Sequence, residues 1–373
     1  MMRVLMVLDG LDFGGTETHA LSLAKEMAAR GIHIAVAARN GALASRFEAV
    51  GCPLYFIDFP TVINIDEQRK EQIIEQLEAV IKKENISIVH THQTPSGILT
   101  ALAANRCGVP VVFTAHGTYY PLSELETMLR LASAAIAVSP PVERHIRPMI
   151  VKRFLIPNGI DTNEFAPLGR QGRQALGIPD DALVIVYSSR LAWAKARICF
   201  MVLKACKDLK PLFPNLYVVV VGDGPRFSDA ENLTRLIHQT CRATFIHLVG
   251  EQGDMAPYYS LADLVVGTGR VALEAMACGK PVLAAGNHGY FGLVEPNSYK
   301  DAWECYFGDH GSRQDCSRYI LSQDMKHLLR SPLYLEQLGQ VGREWVMRQF
   351  NIQTCVDQVL NVYESLLKGE AKQ

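Results

Sequence analysis

Short runs rich in β-branched and apolar residues recur along this chain, separated by stretches with helical periodicity, and that alternation restricts the fold more than any other feature. The runs are Arg3 to Leu8, Ile32 to Ala37, Ile86 to His90, Val111 to Ala115, Ala135 to Val138 and Phe154 to Ile156. Between them, Lys70 to Lys83 sets Ile73, Ile74, Leu77, Val80 and Ile81 on one helical face. Strands that alternate with helices predict a parallel sheet covered by helices. The turn Pro157-Asn158-Gly159 and the polar stretch from Asp161 to Arg173 interrupt the pattern. It restarts with Leu183 to Tyr187, Leu216 to Val221, Phe245 to Leu248, Leu264 to Val266 and Pro281 to Ala284. Two Rossmann-like halves joined near residue 165 are expected, and 373 residues suffice for two domains. From Asn287 to Gln323 no periodicity is legible. The stretch Thr354 to Lys368 carries Val356, Val359, Leu360, Tyr363 and Leu367 on one face that needs a covering surface.

Composition removes several classes of function. With 37 basic and 38 acidic residues no overall charge attracts nucleic acid, so a charged ligand must be met locally. No apolar run reaches 18 residues, and the run after Arg3 gives way to Asp9 without a small-residue cleavage site, so neither a membrane span nor a signal peptide is expected. Nine scattered cysteines without a CxxC pair fit buried thiols in a reducing compartment, which gives a cytoplasmic expectation.

Three places could carry chemistry. Gly14 and Gly15 follow the first strand and open a helix, where exposed N–H groups favour an anion; a tight turn capped by Thr16 explains the same residues. His116 lies just past the strand Val111 to Ala115, where open α/β sheets bind ligands, and His90 and His92 end the preceding strand. No nearby carboxylate completes a metal site with these three histidines, so no metal is expected. In the second half, Arg190 and Lys195 follow the strand Leu183 to Tyr187 and can neutralise a diphosphate. Gly267, Thr268, Gly269 and Arg270 open a helix after the strand Leu264 to Val266. Glu274, further along that helix, can accept from a pair of ribose hydroxyls or simply favour the helix dipole.

These residues, taken together, resemble the family 4 glycosyltransferases. The resemblance is carried by the run from Val271 through Glu274 to Val282, by Arg190, Leu191 and Lys195, by Val221-Gly222-Asp223-Gly224-Pro225, by Ile156-Pro157-Asn158-Gly159-Ile160-Asp161, and by Gly14-Gly15. It implies an α/β GT-B fold, two Rossmann-like domains facing across a cleft, with a C-terminal helix crossing back to the first. The implied domains are an acceptor-binding 1–165, a nucleotide-sugar-binding 166–350 and a returning helix in 351–373. It also implies a retaining, metal-independent, hexosyltransferase-like enzyme without a cofactor, whose co-substrate is a nucleotide-diphosphate sugar. Arg190 and Lys195 would clamp the diphosphate, Glu274 would hold the ribose, and Val249 and Gly250 would border the base. His116 would face the transferred sugar, and Gly14 and Gly15 would lie beside phosphate or acceptor. Where the family commonly has a second glutamate, eight residues before Glu274, this chain has Val266, and Arg270 or the backbone of 267–269 would take over. The acceptor would be a glycan, a glycolipid or a small molecule. The basic stretch Arg144, His145, Arg147, Lys152 and Arg153 could lean on an anionic membrane, although a solvated surface explains it as well. An epimerase of the same fold and a noncatalytic sugar-nucleotide-binding subunit are the alternatives.

Overall fold

The computed structural model describes residues 2–149, 151–169 and 172–369. Ile150, Arg170 and Gln171, which fall in two of the stretches named above, and residues 370–373 of the segment 351–373 lie outside the described residues. The chain divides into two units. One takes the described residues up to Gly159 together with those from Ile352 onward, and the other takes Ile160–Asn351.

The first unit is a seven-stranded parallel sheet: β1 (Arg3–Gly10), β2 (His33–Arg39), β3 (Leu54–Phe56), β4 (Ile88–Thr91), β5 (Val111–Ala115), β6 (Ala134–Ala137) and β7 (Arg153–Leu155). Its order is β3-β2-β1-β4-β5-β6-β7. Alternation along β1 sorts the side chains: Leu5 and Val7 enter the core on one face, Val4, Met6 and Leu8 that on the other. The first face is covered partly by the helix Glu67–Lys83. Asp66 caps it by accepting from the Arg69 amide at 2.8 Å, and Ile73, Ile74, Leu77, Val80 and Ile81 are its buried residues. The opposite face is covered by the helices Gly15–Ala29 and Ile352–Leu367, whose apolar residues share one core.

The second unit repeats the order with six strands: β8 (Leu183–Ser188), β9 (Leu216–Val221), β10 (Ile246–Leu248), β11 (Leu264–Gly267), β12 (Val282–Gly286) and β13 (Gly289–Leu293), arranged β10-β9-β8-β11-β12-β13. All pairs are parallel except β12 with β13. Two strands escape the sequence pattern. β3 has only three residues, and β13 carries Gly289 and Gly292 in an edge hairpin.

The stretch from Asp161 to Arg173 also hides a structural residue. Arg173 is wholly buried, its Nε and Nη2 donating to the Leu261 carbonyl, Nη1 to the carbonyls of Asp180 and Ala182, and Nη2 to Asp263 at 3.0 Å. Asp263 in turn accepts from the Val184 amide at 2.8 Å. One guanidinium thus ties the segment entering the unit to the starts of β8 and β11. A described helix long and apolar enough to cross a membrane is absent, and all nine cysteines are unpaired.

Candidate functional site

Ligands of open α/β sheets bind outside the carboxyl ends of the strands, where the strand order reverses. In the second unit that point lies between the paired strands β8 and β11. Arg190 belongs to the turn after β8 and is exposed, with its guanidinium 5.8 Å from the ring centre of Trp193. The turn is fixed from the neighbouring strand: the Leu191 amide donates to Asp223 O at 2.8 Å and the Arg226 amide to Leu191 O at 3.0 Å. Gly222 (φ +130°) and Gly224 (φ +152°) are pressed so close that a Cβ on Gly222 would stand 2.0 Å from Ser189 O. The Gly-Asp-Gly turn therefore supports Arg190.

Lys195 follows on the first turn of the helix Trp193–Leu209, whose Lys195 carbonyl accepts from the hydroxyl of Tyr187 on β8 at 2.6 Å. Its ammonium lies 3.3 Å from Asp309 Oδ1. After β11, Gly269 adopts φ 54° and ψ −124°, a conformation for glycine, and the helix Arg270–Ala277 begins at once. Thr268 Oγ1 donates to Phe307 O at 2.8 Å.

Glu274 is the fifth residue of that helix, beyond its first turn, and is buried. Oε1 accepts from Arg270 Nε at 2.6 Å and Oε2 from the hydroxyl of Tyr259 at 2.9 Å. Burial raises its pKa, and the Arg270 charge and the Tyr259 hydrogen bond act against the rise. A carboxylate has about four lone-pair sites, so these two bonds leave capacity for two hydroxyl donors.

Val249 and Gly250 stand past β10, two strands away. The Val249 amide donates to Val220 O at 3.0 Å, and Gly250 O accepts from the Gly222 amide at 2.7 Å. Val266 corrects the sequence reading. It is a wholly buried β11 residue in the core with Tyr187 and Tyr290, its backbone registered against Tyr187 and Leu283. Only Thr268 and Gly269 separate β11 from the helix, so counting eight residues back from Glu274 lands inside the sheet, not in a pocket.

In the first unit, the equivalent point between β1 and β4 holds different groups. Gly14 takes the cap position of the helix Gly15–Ala29, and Thr16 lies within that helix and caps nothing. A Cβ on Gly14 would meet the Glu17 carboxylate, while one on Gly15 would meet nothing within 4 Å. Gln93 ties the Glu17 carboxylate to the β1 backbone here, its Nε2 donating to Glu17 at 2.8 Å and its Oε1 accepting from the Asp9 amide at 2.6 Å, and the Asp9 carboxylate accepts from the Ser96 amide at 3.2 Å. Burial raises the pKa of both Asp9 and Glu17.

His116 is buried, with Nε2 3.0 Å from His92 Nδ1, so one proton is shared between the two rings. The His116 amide donates to the hydroxyl of Tyr120 at 3.1 Å. His90 bridges Thr114 Oγ1 and the hydroxyl of Tyr363, each at 2.6 Å, and is occupied by that structural pairing. Burial lowers the pKa of His92 to about 3, and that of His90 well below the usual value with help from His92 and His116. In the basic stretch, Arg147 pairs with Glu143 at 2.6 Å and Arg153 donates to Met149 O at 3.1 Å. Sequence reasoning missed Tyr259, Asp309, Asp9 and Gln93. Each lies on a segment whose periodicity does not mark it.

Residues 13–164 match the family described as Glycosyltransferase Family 4, and residues 170–326 that described as Glycosyl transferases group 1. The D-inositol 3-phosphate glycosyltransferase of Actinosynnema mirum is 27% identical over 329 residues, covering 74% of this chain and 76% of that protein. Among solved structures, a glycosyltransferase from Rickettsia africae superposes with a TM-score of 0.79 at 19% identity, over 98% of this chain and 99% of that one. Anabaena HepE in complex with UDP and glucose gives 0.76 at 18% identity, over 98% and 100%. A UDP-N-acetylglucosamine 2-epimerase gives 0.67 at 14%, over 100% and 97%. These likenesses establish the GT-B fold.

Proposed function

The chain belongs to the family 4 glycosyltransferases, whose two domain families together span most of it, and from that premise we propose that it transfers a sugar from a nucleotide-diphosphate sugar to a hydroxyl acceptor with retention at the anomeric carbon. One observation carries the donor assignment. Two cations, Arg190 and Lys195, and a glycine turn that starts a helix stand at the carboxyl ends of the adjacent strands β8 and β11. A diphosphate there meets two cations and the amides of a helix start. Glu274 takes the ribose hydroxyls with its remaining lone pairs, and Val249 and Gly250 border the base.

In the transfer, the bond from the anomeric carbon to the diphosphate oxygen breaks while the bond to the acceptor oxygen forms on the same face. The acceptor proton passes to the departing phosphate. Arg190, Lys195 and the amides near Gly269 stabilise the charge that develops on the diphosphate. Glu274 is no nucleophile in this reading, because Arg270 and Tyr259 hold its two oxygens within the protein. The acceptor is assigned to the first unit, with His116 and the Gly14-Gly15 turn. A glycan or a lipid-linked sugar suits that unit, and the stretch Arg144 to Arg153 offers peripheral contact with a membrane. An epimerase would need no acceptor, so nucleoside diphosphate released only when an acceptor is supplied supports transfer.

The donor reading is tested by calorimetric titration of nucleoside diphosphates and nucleosides into the unmodified protein and into Arg190→Ala and Lys195→Ala. Each substitution is expected to cost roughly 1.5–3 kcal/mol of diphosphate affinity and to leave the nucleoside unaffected. Equal losses for both ligands overturn the clamp.

A further inference from the structure

We infer that Asp309 is the carboxylate that reads the hydroxyls of the transferred sugar in this chain, an inference that rests on the donor reading of the second unit. The hydroxyls of a sugar are hydrogen-bond donors and call for acceptors, yet Arg190, Lys195 and Arg270 offer only donors. Val266, eight residues before Glu274, is sealed in the sheet core and offers no acceptor. Glu274 spends a lone pair of each oxygen on Arg270 and Tyr259. Asp309 supplies what is missing.

The distances place it for that task. Asp309 Oδ1 lies 3.3 Å from Lys195 Nζ and accepts from Asn287 Nδ2 at 2.9 Å. Its Oδ2 is 3.5 Å from the point where a Cβ on Gly269 would stand. The carboxylate therefore sits between the cation of the clamp and the glycine turn. In a sugar nucleotide the ring is joined directly to the distal phosphate, so a group that reads its hydroxyls must stand beside the clamp.

The backbone that delivers Asp309 is held at a cost. Tyr306 (φ 49°), Phe307 (φ 56°) and Gly308 (φ 87°) form a run of left-handed residues, and two of them are bulky aromatics for which this region is unfavourable. The surroundings determine the run. Phe307 is wholly buried, its carbonyl accepts from Thr268 of the glycine turn, and the Gly308 carbonyl accepts from the His288 amide at 3.2 Å. A Cβ on Gly286 would come within 2.5 Å of Gly308 O. Turn and carboxylate are thereby locked to one another.

The test compares sugar nucleotides with their parent diphosphates by calorimetry. UDP, ADP and GDP, their glucose esters and UDP-N-acetylglucosamine are titrated into the unmodified protein and into Asp309→Asn. The substitution is expected to weaken the accepted sugar nucleotide roughly ten- to hundredfold. The diphosphate alone should bind unchanged or more tightly, because Lys195 loses a competing carboxylate. An equal change in both ligands makes Asp309 a counter-ion of Lys195 and overturns the inference. Should Asp309→Asn not fold, donors lacking single sugar hydroxyls are titrated into the unmodified protein. One hydroxyl whose removal costs a comparable factor supports the inference, and indifference to every hydroxyl overturns it. If the unmodified protein binds none of the diphosphates, the functional reading itself falls and takes this inference with it.

Discussion

The two sheets share the order of their central strands, with β1 and β4 in the first occupying the places of β8 and β11 in the second, yet the groups gathered at those places treat charge in opposite ways. In the first unit charge is suppressed. His90 and His92 are buried with depressed pKa values, and Asp9 and Glu17 are buried with raised ones, so both kinds of group are biased toward their neutral forms. In the second unit cations gather instead, with Arg190 exposed and Lys195 and Arg270 partnered by carboxylates, while Glu274 shares the burial that raises a carboxyl pKa. One topology thus prepares two surfaces, and the few residues after the central strands decide which kind of ligand each receives.

The largest expected effect lies beneath that contrast. The second unit relies on the buried cation Arg173, and removing it takes a donor away from Asp263 and from three carbonyls. Arg173→Ala is expected to cost about 3–5 kcal/mol. Calorimetry should show the transition of the second unit shifted down and that of the first unmoved. A shift of both together would break the description of two units with separate foundations.

A smaller effect tests the suppression of charge in the first unit. His92 has a folded pKa of about 3 against an ordinary 6.5, so below pH 6.5 the unfolded chain binds a proton that the folded one does not. Stability is therefore whole above pH 6.5 and falls as pH drops toward 3, by up to about 1.4 kcal/mol per pH unit for each such histidine. Asp9 and Glu17 have the opposite sign. Their raised folded values contribute stability at low pH that is lost as pH rises through them. His92→Gln should flatten the acid limb by about one proton, measured by urea unfolding between pH 5 and 6.5. An unchanged slope would mean that His92 is charged in the folded protein.

The smallest effect sharpens the comparison at the glycines. Gly222 cannot accept a side chain, because Ser189 O blocks the site, whereas Gly15 faces open space. Gly15→Ala should change stability by less than about 1 kcal/mol, in the stabilising direction, since it removes backbone freedom at the start of a helix. If a ligand approaches that turn closely, the same variant should lose acceptor affinity while its melting temperature rises. Unchanged affinity would leave Gly15 to the turn alone.

These contrasts also mark what the sequence discloses. Val111–Ala115 and Leu216–Val221 are legible to the residue, because each is a run of β-branched and apolar residues with a proline or asparagine just before it and a histidine or glycine just after it. Arg190, Lys195 and Glu274 are legible through their spacing after strands. Arg173 is not, since a guanidinium in a polar stretch reads as solvated until its five N–H groups are seen to meet carbonyls and a carboxylate. Asp309 is hidden for another reason: its place depends on two aromatic residues in left-handed conformations, which no periodicity announces. Val266 misled through counting, because a turn of two residues shortens the path from strand to helix.

The helix Ile352–Leu367 has a consequence for the order in which the protein is made. It completes the core over β1, and its Tyr363 hydroxyl meets His90, a residue synthesised 273 positions earlier. The first unit therefore leaves the ribosome with the part of that face that this helix covers bare, and it stays bare while residues 160–351 are translated. At ~5–20 residues per second the wait is roughly 10–40 s. During that interval the nascent first unit exposes apolar core side chains, and a ribosome that stops short of residue 352 releases a chain whose first unit lacks the helix that covers them.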